Sequence, residues 1–163
     1  MAEPSRAFAI RQASSPPDVE TARALFLEYQ KALGISLCFQ NFDEEGATLP
    51  GAYAPPKGRL LLAFAGDGPA GCVALRRIEE GISEMKRLWV RPAFRGTGLG
   101  RRLVETILEE ARAIGYRRVR LDTLPSMQAA QALYLSLGLR GIPPYHEHPI
   151  EGTRFMEATL PPP

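Results

Sequence analysis

Cysteine is scarce in this sequence. Cys38 and Cys72 are the only two in 163 residues. Both lie in apolar stretches without the paired spacing of a zinc site or a CxxC redox motif, so both read as buried thiols. An excess of charge of one sign is also missing: 20 basic against 18 acidic residues leave a formal charge of +2, too little to argue for a nucleic-acid surface. No stretch approaches the roughly 20 apolar residues of a membrane span, and the opening MAEPSRAFAI lacks the apolar core of a secretory signal. These absences predict a cytoplasmic protein that engages neither membrane nor nucleic acid.

What is present is an ordinary globular balance, 45% hydrophobic and 23% charged. The length suits one domain, residues 1–163, able to bury roughly 70% of the surface of its unfolded chain. Ala7 to Ile10 reads as a first strand. After the Ser14-Ser15-Pro16-Pro17 turn, Val19, Ala22, Leu25, Phe26 and Tyr29 recur at three- and four-residue steps, predicting a helix from Asp18 to Leu33 that Gly34 ends. Glycines and prolines break up the pattern between Ile35 and Gly58 into an ordered loop with a short helix near Asp43 to Leu49. Arg59 to Ala65 and Ala70 to Arg77 flank a Gly66-Asp67-Gly68-Pro69 turn and predict a hairpin.

Ile82 to Val90 is a further strand, stopped by Pro92. Gly98 to Gly115 is an amphipathic helix with Leu99, Leu103, Ile107, Ala111 and Ile114 on its buried stripe. A strand at Arg117 to Leu121, a helix at Met127 to Leu137 ended by Gly138, and a last strand at Arg154 to Leu160 follow. This order predicts an α/β fold with a mixed, mostly antiparallel central sheet flanked by helices.

The run Arg95-Gly96-Thr97-Gly98-Leu99-Gly100 joins a strand to a helix. Its glycines let backbone amides turn toward one point, the helix start adds a positive dipole end, and Arg95, Arg101 and Arg102 add cations, so an anion such as a pyrophosphate suits the turn. A glycine-rich surface turn is the bland alternative. The Walker pattern is excluded because Arg101-Arg102 follows Gly100 in place of Lys-Ser or Lys-Thr. The dinucleotide fingerprint fails because its third glycine would fall on Arg101 or Leu103, which leaves a dinucleotide-binding oxidoreductase as a remote alternative, although Asp122 lies at a suitable distance.

Arg95, Gly98 and Gly100 together resemble the signature of the GNAT N-acetyltransferase superfamily, Arg or Gln, two residues, Gly, one residue, then Gly or Ala. The helix reading Ala130-xx-Leu133-Tyr134-xxx-Gly138 and the strand Leu88-Trp89-Val90-Arg91-Pro92 are similar to two further family elements. EMKRLWVRP, LDTL and PPY look like a small bacterial branch. The resemblance runs from about Arg59 to Gly138, and only element order matches before it. It implies acetyl-CoA as co-substrate, bound by Leu88, Trp89, Val90, Arg95, Gly96, Thr97, Gly98, Leu99, Gly100, Arg101, Ala130 and Tyr134. Many relatives carry a cofactor-contacting Asn seven residues before the tyrosine; here Met127 stands there, so either Ser126 beside it substitutes or that contact is absent.

Acyl transfer to an amine needs a neutral nucleophile, a stabilised carbonyl oxygen and a proton for the departing thiolate. Alternation along the strand puts Glu84, Lys86, Leu88 and Val90 on one face. Glu84 stands eleven residues before Arg95, the spacing at which the histone-modifying branch of the superfamily places its base. It is therefore the candidate base, directly or through water, with an ion pair to Lys86 or Arg87 as the structural alternative. The resemblance implies an oxyanion donor among the amides of Leu88 to Val90, beside a pantetheine arm bonded as an added strand, and Tyr134 as the acid, with a plain core tyrosine as the alternative.

The expected acceptor is a small-molecule primary amine attacking directly in a ternary complex, or a protein amine; a non-catalytic acetyl-CoA sensor is the non-enzymatic alternative. Asp43, Glu44 and Glu45 read chiefly as acids complementing a helix start. Prolines and strand alternation separate His146 from His148 around Glu147, so no metal site is expected. Tyr145 lines the acceptor mouth or packs its loop. A homodimer through the last strands or the proline-rich loop suits such a fold.

Overall fold

The computed structural model describes residues 7–34 and 42–163, so the expectation of a buried Cys38 lies outside the described residues. Cys72 is fully buried, and burial pushes its thiol well up from its ordinary value. The described elements are strand β1 (Ala9–Gln12), helices α1 (Pro16–Leu33) and α2 (Phe42–Thr48), strands β2 (Arg59–Ala65), β3 (Gly68–Glu79) and β4 (Ile82–Val90), helix α3 (Leu99–Ile114), strand β5 (Arg118–Thr123), helix α4 (Gln128–Ser136), and strands β6 (Arg140–Ile142) and β7 (Arg154–Thr159). They build one seven-stranded sheet in the order β1-β2-β3-β4-β5-β7-β6. Only β4 and β5 run parallel; the other neighbours are antiparallel.

Local chemistry sets most of the boundaries. The Ser15 hydroxyl caps α1 by accepting from the Asp18 amide at 3.3 Å, and Gly34 ends it in the left-handed region. The α3 stripe buries Leu99, Leu103, Val104, Ile107 and Ala111, each leucine or isoleucine contributing about 1.5–3 kcal/mol of apolar burial. These residues form one core with Val73, Leu75, Met85, Leu121 and Tyr134. On the opposite face of the sheet, α1 and α2 build a second core from Leu25, Phe26, Phe42, Leu60, Leu62 and Cys72.

Three expectations are corrected. The first strand lies two residues later than Ala7–Ile10, where it pairs Ala9 with Phe64 and Gln12 with Leu61. A short strand, β6, has no counterpart in the sequence pattern: Arg140–Ile142 has too few residues to show a period and exists because β7 offers it an edge. The third concerns the faces of β4. Between the pairs Cys72↔Trp89 and Ala74↔Lys86, β4 carries one residue more than β3, and Arg87 sits at φ 60. A bulge of this kind resets alternation. Leu88 and Val90 consequently pack with Met85 in the α3 core, not on the face of Glu84 and Lys86.

Gly71 holds β3 against this bulged end. A Cβ there would meet the Trp89 carbonyl oxygen at 2.5 Å and Leu103 at 3.3 Å, so backbone would have to move. Gly71→Ala is expected to destabilise the fold by about 2–3 kcal/mol, read as a lowered urea midpoint with unchanged slope.

Candidate active site

The parallel pairing of β4 with β5 stops after Glu84↔Arg120, while β5 continues on β7 to Thr123. The sheet therefore opens between the two strands, and β4 presents an unpaired backbone edge from Met85 onward. A groove of about 610 Å³ follows this opening, lined by Leu88, Trp89, Val90, Arg95, Gly100, Ser126, Met127, Ala130 and Leu133 among others. At its narrow end, a cavity of about 30 Å³ lies between Glu84, Lys86, Asp122, Met127 and Tyr134, room for one or two waters. Tyr29 and Met127 border both.

The glycine turn stands at the wide end. Gly96 and Gly98 adopt φ 76 and φ 83, a region that side chains reach only with strain. Gly98 is the N-cap of α3 and no side chain caps that end, so the first-turn amides are left for a partner, with the helix dipole behind them. The Arg95 guanidinium lies 5.0 Å from the centre of the Trp89 ring and its Nε donates to the Val90 carbonyl at 3.3 Å. Arg101 reaches Glu105 at 3.3 Å and Ser136 at 3.2 Å. Thr97 is exposed and donates to the Phe94 carbonyl at 2.5 Å. Arg102 leaves the turn and approaches the Phe8 carbonyl at 3.4 Å.

Glu84 is 1% exposed and both its oxygens are engaged. Arg76 reaches Oε1 at 2.8 Å, the Lys86 ammonium stands 3.9 Å from it, and the Tyr145 hydroxyl donates to Oε2 at 2.6 Å. Arg76 meets Oε1 through both Nε, at 2.9 Å, and its terminal nitrogen, so the capacity for a further hydrogen bond lies on Oε2. Burial pushes the carboxyl up, but Lys86, the Tyr145 hydroxyl and Arg76 together outweigh it and hold it below the ordinary value of 4.5. Arg87, the other expected partner, instead meets Glu45 at 2.8 Å. Glu45 also accepts from Tyr53, so its carboxylate serves the packing of α2 against β4 rather than only the start of a helix.

Tyr134 is 3% exposed, borders the narrow cavity, and has no hydrogen-bond partner for its hydroxyl among the described residues. Burial pushes its phenol well up, so it carries its proton at neutral pH. Lys86 is lowered by burial, against which Glu84 acts.

Four further residues stand at the site. Asp122 borders the narrow cavity and accepts from His146 Nε2 at 2.8 Å. Tyr145 packs edge-on to Phe155, and Tyr29 reaches the site from α1 with its phenol pushed up to about 12, chiefly by burial. Lys86 shows in the sequence only as a strand residue and a candidate ion-pair partner of Glu84, and it stands 3.9 Å from that carboxylate. His148 Nδ1 accepts from the Ile150 amide at 3.1 Å. Ligand-type atoms of Glu84, Asp122 and His146 do lie within 4.8 Å of one another, but the charges of Arg76 and Lys86 beside them oppose a metal cation.

This architecture is that of known acetyltransferases. An acetyltransferase from Streptococcus agalactiae superposes with a TM-score of 0.79 at 22% identity, covering 94% of this chain and 98% of its own. An acetyltransferase from Salmonella typhimurium, solved with its cofactor acetyl-CoA, gives 0.67 at 20% identity over 95% of each chain. Residues 21–139 match the Acetyltransferase (GNAT) family, and the chain belongs to it. An uncharacterised N-acetyltransferase of Schizosaccharomyces pombe is 39% identical over 98% of this chain and 99% of its own length. No described helix is long and apolar enough to cross a membrane.

Proposed function

We propose that this protein transfers an acetyl group from acetyl-CoA to a primary amine by direct attack, in a complex holding both substrates. The observation that carries the reading is the opening between β4 and β5, whose groove runs from the uncapped start of α3 to a cavity bordered by Glu84 and Tyr134. A coenzyme A-like group fits the residues present. The amides around Gly96 to Arg101, with Arg95 and Arg101, suit a pyrophosphate; the free edge of β4 from Leu88 to Val90 suits an extended amide-bearing arm; Ala130 and Leu133 give the groove an apolar wall. Ser126 and Met127 line the same wall, which supports Ser126 as the residue that serves in place of the family's Asn, since the Met127 thioether cannot act as a donor.

When bound, acetyl-CoA supplies the activated thioester. Glu84 accepts a proton from the acceptor ammonium, through water in the narrow cavity, because its Oε2 retains acceptor capacity beside the Tyr145 hydroxyl and its low pKa keeps it ionised. A β4 amide donates to the carbonyl oxygen where charge develops. Tyr134 holds the proton needed by the departing thiolate, and its unpartnered hydroxyl leaves that proton available.

The test is incubation with acetyl-CoA and an amine panel, followed by detection of free thiol and by thermal unfolding with acetyl-CoA alone. Acetyl-CoA should raise the unfolding temperature and at least one amine should release thiol. Stabilisation with no release from any amine would favour a coenzyme A sensor instead.

A further inference from the structure

Four cations surround the acceptor side of the cavity, and three of them have a close carboxylate. Arg76 reaches Glu84 at 2.8 Å, Arg87 reaches Glu45 at 2.8 Å, and Arg120 reaches Glu157 at 2.8 Å. Lys86 is different. Its nearest carboxylate oxygen, on Glu84, is 3.9 Å away, beyond hydrogen-bonding range, although its side chain is only 12% exposed. The ammonium thus borders the narrow cavity with its donors unused among the described residues.

The anions nearby are already committed. Glu84 accepts from Arg76 and Tyr145. Asp122 accepts from His146, whose other ring nitrogen faces the Glu147 carbonyl at 2.7 Å. With Glu84 engaged by Arg76 and Tyr145 and Asp122 by His146, Lys86 is the ammonium at the cavity that no described carboxylate meets within hydrogen-bonding distance, and a buried charge left so is costly unless a ligand answers it.

The position of Lys86 also bears on the acceptor. It stands two residues from Glu84 on the same stretch of β4, before the bulge turns Leu88 away. An acceptor nitrogen brought to Glu84 comes beside this ammonium. For a bare alkylamine, the neighbouring positive charge opposes binding of the cationic form; for an amine with its own carboxylate, the same charge is an attraction.

We propose that the acceptor is a small amine bearing a carboxylate close to its nitrogen, as amino acids do, and that Lys86 receives that carboxylate. This specificity rests on the acetyl-transfer reading above. It separates the small-molecule acceptor from a protein lysine, whose side chain brings no carboxylate.

The experiment uses the whole protein saturated with coenzyme A and measures binding by calorimetry. The probes are a set of α-amino acids, β-alanine and γ-aminobutyrate, each beside its carboxamide, with a lysine-containing peptide for comparison. At least one amino acid should bind about tenfold tighter than its carboxamide, the size expected when a charge-assisted bond is lost. In Lys86→Met that ratio should fall to about one, while Lys86→Arg, which keeps the charge, should retain a preference for the acid.

No acid preference in the wild type, a preference that survives in Lys86→Met, or tighter binding of the peptide would each overturn the proposal. The wild-type comparison decides the matter even if Lys86→Met does not fold. Parallel thiol detection separates the two readings: acid-selective binding without thiol release removes acetyl transfer but keeps the recognition, whereas release from amines regardless of a carboxylate keeps transfer and removes the recognition.

Discussion

Glu84→Gln should lower turnover by about a hundredfold or more, the contribution of a positioned general base. It should also cost about 3 kcal/mol of stability, because the substitution removes the anion between Arg76, Lys86 and Tyr145 in a buried setting. The two effects can be told apart by pH. Because the folded carboxyl lies below its ordinary 4.5, its stabilising contribution is complete above that pH and disappears as pH falls through the folded value. Wild type should therefore lose stability below about pH 4.5 more steeply than Glu84→Gln, with the two curves converging in acid. The activity of wild type should likewise persist down to that region. A variant that is less stable but turns over at the wild-type rate would leave Glu84 as an anchor for its neighbours and remove it from the chemistry.

Tyr134→Phe should reduce kcat by about a hundredfold while changing acetyl-CoA affinity by no more than about threefold, since what is lost is a proton donor in the transition state. The substitution keeps the ring, which packs in the core around α3. It removes a hydroxyl with no hydrogen-bond partner among the described residues, so the fold should hold. Binding is measured by calorimetry and kcat by continuous thiol release. An unchanged kcat would return Tyr134 to the role of a core tyrosine.

The two residues differ in how far the sequence could place them. Tyr134 was legible because a helical motif carries it: Ala130, Leu133 and Tyr134 line one side of α4 wherever that helix packs, and the groove needs such a wall. Glu84 was legible as a position on a strand but not as an electrostatic centre. Its partners Arg76 and Tyr145 lie eight and sixty-one residues away, and neither spacing has a local signature. The same holds for Asp122 and His146, brought together from a strand and a loop twenty-four residues apart. His146 therefore read as an acceptor contact or a plain loop residue, and its partner is a carboxylate on another element.

The bulge at Arg87 was the largest step beyond sequence pattern. Perfect alternation would keep Glu84, Lys86, Leu88 and Val90 together. One extra residue on β4 sends Leu88 and Val90 into the α3 core and leaves Lys86 at the cavity with Glu84. Nothing in Lys86-Arg87-Leu88 announces a positive φ at an arginine, because that conformation is held by what Arg87 meets: Glu45 at 2.8 Å and the Phe42 ring 5.0 Å from its guanidinium.

By itself, the sequence determined most of the elements, the glycine turn and the family, since these rest on local steric rules: glycine where φ must be positive, a 3.6-residue apolar stripe, and short motifs at set spacing. The tertiary structure alone decided where β4 and β5 part, which carboxylates are matched by cations, and that Lys86 is left over. Those outcomes depend on interactions between residues far apart in the chain, whose energies arise only once the sheet has closed around them.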